Sequence, residues 1–131
     1  MKTSLIPHGH CSFSVQDNIV TIDATGPWNL EFFKEMHKNL SEIILRDVDF
    51  NNFAILLILR GDSLAVQDGL DYHLHLVRKG PTKALAMNSA ASNTQKVTQD
   101  IFKKVYDRAG LKNKCFNDTQ EAIKWLKTHL D

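Results

Sequence analysis

The chain has 131 residues, of which 43% are hydrophobic and 24% are charged, a composition typical of a single globular domain that buries its own core. The net charge of +1 argues against a dedicated nucleic-acid-binding protein, because such proteins normally present a strongly basic face. The main apolar run, residues 53–59, is much shorter than the roughly 20 residues that a membrane-spanning helix needs. We therefore expect no stable insertion into a membrane.

The N-terminus and the cysteines bear on where the protein works. Residues 1–7 lack the apolar segment of a signal peptide. The two cysteines, Cys11 and Cys115, are far apart in the sequence and form no CxxC pair. The sequence therefore predicts a cytoplasmic protein with two free thiols.

An irregular lead-in over residues 1–9 is followed by two segments, 11–15 and 20–23, that alternate apolar and polar residues. Such alternation is typical of strands with one face on the core. Residues 16–18 between them are turn formers. The pattern predicts an antiparallel hairpin that ends at Gly26-Pro27.

A first helix is predicted over residues 30–46, with Asn29 as its cap. The segment 53–59 that follows is apolar without alternation, which is typical of a central strand covered on both faces of a mainly parallel sheet. The helix presents an apolar stripe at helical spacing, formed by Leu30, Phe33, Met36, His37, Leu40, Ile43 and Ile44.

Three more helices alternate with two short strands, 84–87 and 114–116. Ser63 is a candidate cap for the second helix, which Gly69 should weaken and which ends at Gly80-Pro81. The third helix begins at Asn93 or Thr94, and the fourth begins with a capping box at Asp118. The residues predicted to face inward are Val66, Leu70, Leu74 and Val77, then Val97, Ile101, Val105 and Ala109, then Ala122, Trp125, Leu126 and Leu130.

The resulting order, ββαβαβαβα, predicts a single α/β domain that spans residues 1–131. Strands that alternate with helices imply right-handed crossovers and a parallel sheet. The opening hairpin adds one antiparallel strand, so we expect a mainly parallel five-stranded sheet with an antiparallel first strand.

This order resembles the stand-alone SpoIIAA-like branch of the STAS superfamily, the sulfate transporter and anti-sigma-factor antagonist domains. The resemblance covers residues 9–130 and rests on Gly26-Pro27-Trp28-Asn29 before the first helix, and on Phe116-Asn117-Asp118, Glu121-Ala122 and Trp125-Leu126 at the end. It implies strands arranged along the sheet as in the sequence, with the helices stacked as turns of a βα superhelix. It also implies a non-enzymatic regulatory or protein-interaction role.

Regulatory members of that superfamily carry an Asp-Ser-Ser-Gly stretch after the central strand, and a partner kinase phosphorylates its serine. The matching place here reads Gly61-Asp62-Ser63-Leu64, in which only Asp62 and Ser63 fit. The resemblance makes Ser63 a candidate phospho-acceptor. The missing second serine and glycine favour the plain helix cap instead.

Motifs for catalysis, cofactors or metals are not evident. The sequence has no GxGxxG, GxxxxGK[ST] or GxSxG stretch. His73 and His75 would point about 200° apart on a helix, and His8 with His10 falls short of the three or four ligands of a zinc site. We expect no metal, no cofactor and no enzyme activity.

The best candidate site lies beyond the carboxyl ends of the parallel strands, where helix N-termini offer free N–H groups. Such an edge could hold a partner loop or a small anion. We call this set the predicted rim: Trp28, Asn29, Arg60, Asp62, Ser63, Asn88, Ser89 and Asn117.

Two functions stay open. The first is a regulatory or protein-interaction domain that acts through the predicted rim. The alternative is a carrier for a small apolar or anionic ligand, with a pocket between sheet and helices and Trp28 near its mouth.

The charges are unevenly distributed along the chain. Residues 1–77 contain 5 basic and 10 acidic residues, whereas residues 78–131 contain 11 basic and 5 acidic residues. We interpret the two halves as solvated surfaces. If the protein forms a homodimer, we expect an apolar contact, at the exposed sheet or the edge of the first strand, to hold it.

Overall fold

The computed structural model describes residues 6–131; the first part of the predicted lead-in, residues 1–5, lies outside the described residues. Four helices and one five-stranded sheet follow the predicted order. They are β1 (His10–Gln16), β2 (Ile19–Thr25), α1 (Leu30–Asp47), β3 (Ala54–Gly61), α2 (Gln67–Lys79), β4 (Leu85–Ser92), α3 (Gln95–Arg108), β5 (Asn113–Phe116) and α4 (Thr119–Lys127).

The strands lie in the order β1-β2-β3-β4-β5, which confirms the predicted topology. β1 pairs antiparallel with β2, and every later neighbour is parallel. The hairpin turns at Asp17 and Asn18, which both have positive φ, as a two-residue turn of type I′ requires. Cys11 and Cys115 therefore lie on the two edge strands, roughly 19 Å apart at about 4.8 Å per strand, and both thiols are free.

Each face of the sheet carries its own apolar cluster. α1, α2 and α3 cover one face, where the larger cluster includes Ile22, Leu57 and Met87. α4 covers the other face through Ala122 and Leu126, which pack on alanines and Leu56. β3 is buried on both faces because it lies between the two clusters, as its unbroken apolar run predicts.

The predicted caps of α1 and α4 are confirmed. Asn29 Oδ1 accepts from the Phe32 N–H at 3.0 Å, and Asp118 Oδ2 accepts from the Glu121 N–H at 2.9 Å. These two caps could be found from sequence because each bond joins residues three positions apart.

The predicted start of α2 is wrong. The helix begins at Gln67 after Val66, with no side-chain cap, and Ser63 lies in the preceding loop. Tertiary pairing explains the delay, since the Trp28 N–H donates to the Leu64 carbonyl at 2.8 Å and the Val66 N–H donates to the Trp28 carbonyl at 3.3 Å. The backbone of this loop is therefore bound to the loop after β2 instead of continuing a helix.

The prediction that Val66 and Val97 face inward at the start of α2 and α3 is wrong. Val66 and Val97 are both 51% exposed. In α3 the buried positions include Thr98 and Tyr106, polar residues that an apolar stripe does not select. They face inward because the core provides hydrogen-bond partners for them: the Thr98 hydroxyl donates to the Ser63 carbonyl at 3.0 Å, and the Tyr106 hydroxyl meets a histidine.

Candidate functional site

A cavity of about 230 Å³ lies between the sheet and the three helices α1, α2 and α3. Its sheet wall is aliphatic, and its helix wall mixes aromatic and aliphatic side chains. Because protein interiors are packed as densely as organic crystals, an apolar pocket of this size that opens to solvent is a candidate ligand site. The lining includes Ile22, Ala24, Ile55, Leu57, Leu59 and Leu85 from the strands, and Phe32, Phe33, Met36, Leu40, Phe102 and Tyr106 from the helices.

Three polar side chains in the cavity wall form a chain of hydrogen bonds across the helices. His37 Nε2 of α1 lies 2.7 Å from His73 Nδ1 of α2, and His73 Nε2 lies 2.9 Å from the Tyr106 hydroxyl of α3. We call these residues the His–His–Tyr relay. His73 is 5% exposed and Tyr106 is fully buried, so the relay joins the three helices inside the core.

Which residue donates in each of the two hydrogen bonds of the relay follows from the buried groups that need a partner. If His37 donated to His73 and His73 to Tyr106, the buried tyrosine hydrogen would have no acceptor among residues 6–131. An unsatisfied buried donor costs about 1–3 kcal/mol. Tyr106 therefore donates to His73, and His73 donates to His37. This arrangement satisfies every buried group of the relay and leaves Nδ1–H of the half-buried His37 as its only free donor.

Burial keeps the relay neutral. Desolvation lowers the pKa of His37 to about 4. It also lowers the pKa of His73 well below the ordinary value, with the neighbouring His37 adding a smaller effect in the same direction. Desolvation raises the pKa of Tyr106 far above its ordinary value. At neutral pH the cavity wall is thus polar at the relay and carries no charge there.

Trp28 forms part of the wall where the cavity approaches the carboxyl ends of the strands. Its ring lies 5.7 Å from the ring of Phe32 and meets Phe102 edge-on at 5.9 Å. The residue is 2% exposed, and its indole N–H has no partner among residues 6–131. The alternative prediction placed Trp28 near the mouth of a pocket, whereas the structure places it deep in the wall.

The mouth lies at the opposite end of the cavity, near the amino ends of the strands. Of the lining residues, Ser41, Lys79, Gly80 and Pro81 are exposed. They belong to the second half of α1, to the last residue of α2 and to the loop that follows it. Lys79 is the one lining residue, within the described chain, that carries a full charge at neutral pH.

The first half of the predicted rim is brought together by the two loops that pair through Trp28 and Ala65. Asn29 Oδ1 accepts from the His8 N–H at 2.8 Å as well as capping α1. Arg60 makes a two-pronged ion pair with Asp23, at 2.7 and 3.1 Å. Asn29 therefore supports the loop after β2, whereas the ion pair of Arg60 joins β3 to β2.

Asp62 and Ser63 differ sharply in exposure. Asp62 is exposed and accepts from the Asn93 amide at 3.1 Å. Ser63 is fully buried, and its hydroxyl donates to the carbonyl oxygens of Arg60 and Gly61 at 3.1 and 3.3 Å. In this conformation a kinase has no access to that hydroxyl. Phosphorylation of Ser63 stays a prediction that would require the loop to open.

The second half of the predicted rim is engaged with α3 and α4. Asn88 donates to the Thr119 hydroxyl at 3.0 Å, and the Ser89 hydroxyl accepts from Gln99 at 2.9 Å. Asn117 accepts from Gln95 at 2.7 Å. Asn88 and Ser89 are buried, so Arg60, Asp62 and Asn117 are the exposed residues of the rim.

No sequence motif predicts the His–His–Tyr relay. The sequence places His37 on the apolar stripe of α1 without a role, and it offers His73 only as a possible metal ligand with His75. A signal was nevertheless present, since His73 lies three residues after Leu70 and four before Val77, on the inward face of α2. No group of three or more potential metal ligands occurs among residues 6–131.

Comparison with known proteins supports the fold. No family model matches the chain, and no curated protein matches it. Among solved structures, the chain is similar to an uncharacterized protein of the DUF3478 family from Shewanella loihica PV-4, which is described as having a SpoIIAA-like fold. The TM-score is 0.63 and the sequence identity is 14%, and the match covers 96% of this chain and 99% of that one. The chain therefore has the predicted SpoIIAA-like fold.

Proposed function

We propose that the protein is a non-enzymatic binding protein that carries a small apolar ligand in the cavity beneath α1, α2 and α3. The single observation that supports this function best is the size and apolar lining of the cavity. An engineered apolar cavity of about 150 Å³ already binds benzene. The cavity here, with a volume of about 230 Å³ and a mostly apolar lining, exceeds that size.

The chemistry of the wall favours binding over catalysis. His37 and His73 are held neutral by burial and are hydrogen-bonded to each other and to Tyr106. A general base works best with a pKa near the operating pH, whereas desolvation moves all three groups away from it. Every buried polar group of the relay already has a partner, so these three residues can face an apolar ligand. In the same wall, the Trp28 indole N–H is unpaired among residues 6–131.

Native mass spectrometry of freshly purified protein tests this function. We expect bound mass that is lost on denaturation. Val77 lines the cavity near its mouth, so Val77→Trp should fill it and abolish the bound mass. Val97 is 51% exposed on α3 and lies outside the lining, so Val97→Trp is a matched control that should retain it. A wild-type protein that holds nothing and takes up no apolar compound would contradict the proposal.

The second candidate is a regulatory or protein-interaction domain that acts through the predicted rim. Exposed apolar side chains in the loop after β3 favour it, because Leu64 is 40% and Val66 51% exposed, next to the accessible Asp62. Exposed apolar residues beside polar ones are a common feature of contact surfaces.

A charge placed on this loop tests the second candidate. Leu64→Lys should reduce capture of a protein partner from the cell at least tenfold. Leu45, which is 75% exposed on the outer side of α1, offers the matched control Leu45→Lys. Equal capture by both variants would show that the rim does not make the contact.

A further inference from the structure

The mouth of the cavity differs from its interior in charge. Lys79 lies in the lining at the mouth, and the lining also contains the hydroxyl-bearing Ser41 and Thr82. Everything deeper in the lining is apolar or belongs to the neutral relay and Trp28. The cavity therefore has an uncharged interior and one cationic, hydrogen-bonding end.

Basic residues surround this end. The two segments that meet there, 78–83 and 108–112, contain five basic and no acidic residues. They are in contact, because Arg78 donates to the Arg108 carbonyl oxygen at 3.1 Å, and Leu111 lines the cavity. Within the described chain, Lys83 pairs with Asp131, while Arg78, Lys79, Arg108 and Lys112 are in none of the ion pairs.

We propose that the ligand is an amphipathic monoanion, an unbranched or compact apolar body with a carboxylate that binds at Lys79. This inference rests on the proposed function and names its ligand class. The apolar body lies along the sheet wall and against the relay, whose buried groups are already satisfied. The carboxylate stays at the mouth, because moving an unpaired charge into the apolar interior would cost several kcal/mol.

The size of the cavity suits a medium-length apolar chain. Its volume of 230 Å³ exceeds the roughly 150 Å³ of an engineered apolar cavity that binds benzene. An eight-carbon monocarboxylate is therefore a suitable probe.

Three probes that share one chain and differ in charge test the inference: octanoate, 1-octanol and octylammonium, each titrated calorimetrically into the intact protein at neutral pH. We expect octanoate to bind about tenfold or more tightly than octanol, as a charge-assisted hydrogen bond would give. Octylammonium should bind most weakly, because its charge meets Lys79 and the basic residues around it.

Substitutions at Lys79 test how much the charged head group of the ligand contributes to the affinity, apart from the contribution of the cavity. Lys79→Gln should lower octanoate affinity about tenfold and leave octanol unchanged, and Lys79→Glu should make octylammonium the preferred probe. Lys104→Gln, an exposed lysine on α3 outside the lining, is the matched control and should bind octanoate as the wild type does.

The outcomes distinguish this inference from the function on which it rests. If octanol binds as tightly as octanoate, or if Lys79→Gln leaves octanoate binding unchanged, the assigned head group is wrong while the carrier function stands. If none of the probes binds and native mass spectrometry also finds no ligand, both are wrong. A preference for octanoate that Lys104→Gln removes and Lys79→Gln keeps would place the anion elsewhere on the basic surface and overturn the inference.

Discussion

At the scale of single residues, His37 and His73 are the two histidines that hydrogen-bond within the core. Each ring hydrogen-bonds within the relay, and His73 also stacks near Phe33, with ring centroids 5.1 Å apart. A neutral imidazole fits this site because it both donates and accepts. A protonated ring would put a second donor where an acceptor is needed.

The pH dependence of stability follows from the lowered pKa of His37. In the unfolded chain the ring titrates near 6.5, and in the folded protein its pKa is about 4. The unfolded state binds the extra proton between these values, so the stabilisation is complete above pH 6.5 and is lost as pH falls toward 4. His37 alone should account for up to about 3 kcal/mol of that loss, and His73 acts in the same direction.

Urea denaturation between pH 7.5 and 4.5 measures this effect. Carboxylates also titrate at the acidic end, so the comparison is between variants. His37→Gln should flatten the part of the profile between pH 7 and 5, whereas His75→Gln, at an exposed position of the same helix, should leave it unchanged. Parallel profiles for wild type and His37→Gln would mean that His37 is not buried as a neutral ring.

Ser63 provides a second residue-scale prediction. Ser63→Asp would place a carboxylate, fully buried, against the carbonyl oxygens of Arg60 and Gly61. An uncompensated buried charge costs about 3–5 kcal/mol. We expect thermal or urea denaturation to show a loss of that order, with about 1 kcal/mol for Ser63→Ala.

The exposed Ser14 on β1 is the control, since Ser14→Asp should change stability by less than about 0.5 kcal/mol. A Ser63→Asp protein as stable as the wild type would show that the loop after β3 opens easily. That result would favour Ser63 as a phospho-acceptor, because a kinase could then reach its hydroxyl.

At the scale of elements, the contact between α1 and α2 depends on Gly69. A Cβ added to Gly69 would lie 2.8 Å from Cδ2 of Phe33. Phe33 is 2% exposed and packs edge-on against Phe32, so its ring has little room to move. From sequence, this glycine only weakens a helix; in the fold, it allows α2 to approach α1 closely enough for His73 to reach His37.

Gly69→Ala tests which of these effects is larger. The helix propensity of alanine favours the variant by about 1 kcal/mol, whereas forcing a methyl group into a packed contact costs about 1–3 kcal/mol. We expect a net loss of up to about 2 kcal/mol in urea denaturation. Gly80 is the control, because its nearest neighbour would be 3.5 Å from an added Cβ; Gly80→Ala should be neutral. A stabilised Gly69→Ala variant would contradict the packing argument.

At the scale of the whole molecule, the confirmed strand order places the acidic part of the chain toward one edge of the sheet and the basic part toward the other. The acidic part, residues 1–77, includes β1 to β3, and the basic part, residues 78–131, includes β4 and β5. No helix of the described chain is long and apolar enough to cross a membrane.

Sedimentation velocity at low and high salt tests how such a molecule associates. Contact between the acidic end of one copy and the basic end of another would weaken as salt rises, since the screening length is about 8 Å at physiological ionic strength. Surface ion pairs contribute only about 0–1 kcal/mol each, so we expect any stable dimer to be held by an apolar contact and to persist at high salt. A dimer that dissociates as salt rises would contradict this expectation.

The sequence by itself determined the order of the elements, the mainly parallel sheet with its antiparallel first strand, and the caps at Asn29 and Asp118. These features depend on periodicity and on bonds between residues close in the chain, which are visible in the sequence. The order of the strands along the sheet was implied by the resemblance to the SpoIIAA-like branch. Only the tertiary structure decided the rest: the cavity, the relay of His37, His73 and Tyr106, the burial of Ser63 and the role of Gly69. Each arises where segments about 30 or more residues apart come into contact, and the chemistry of a polar residue at such a place depends on a partner that local pattern does not reveal.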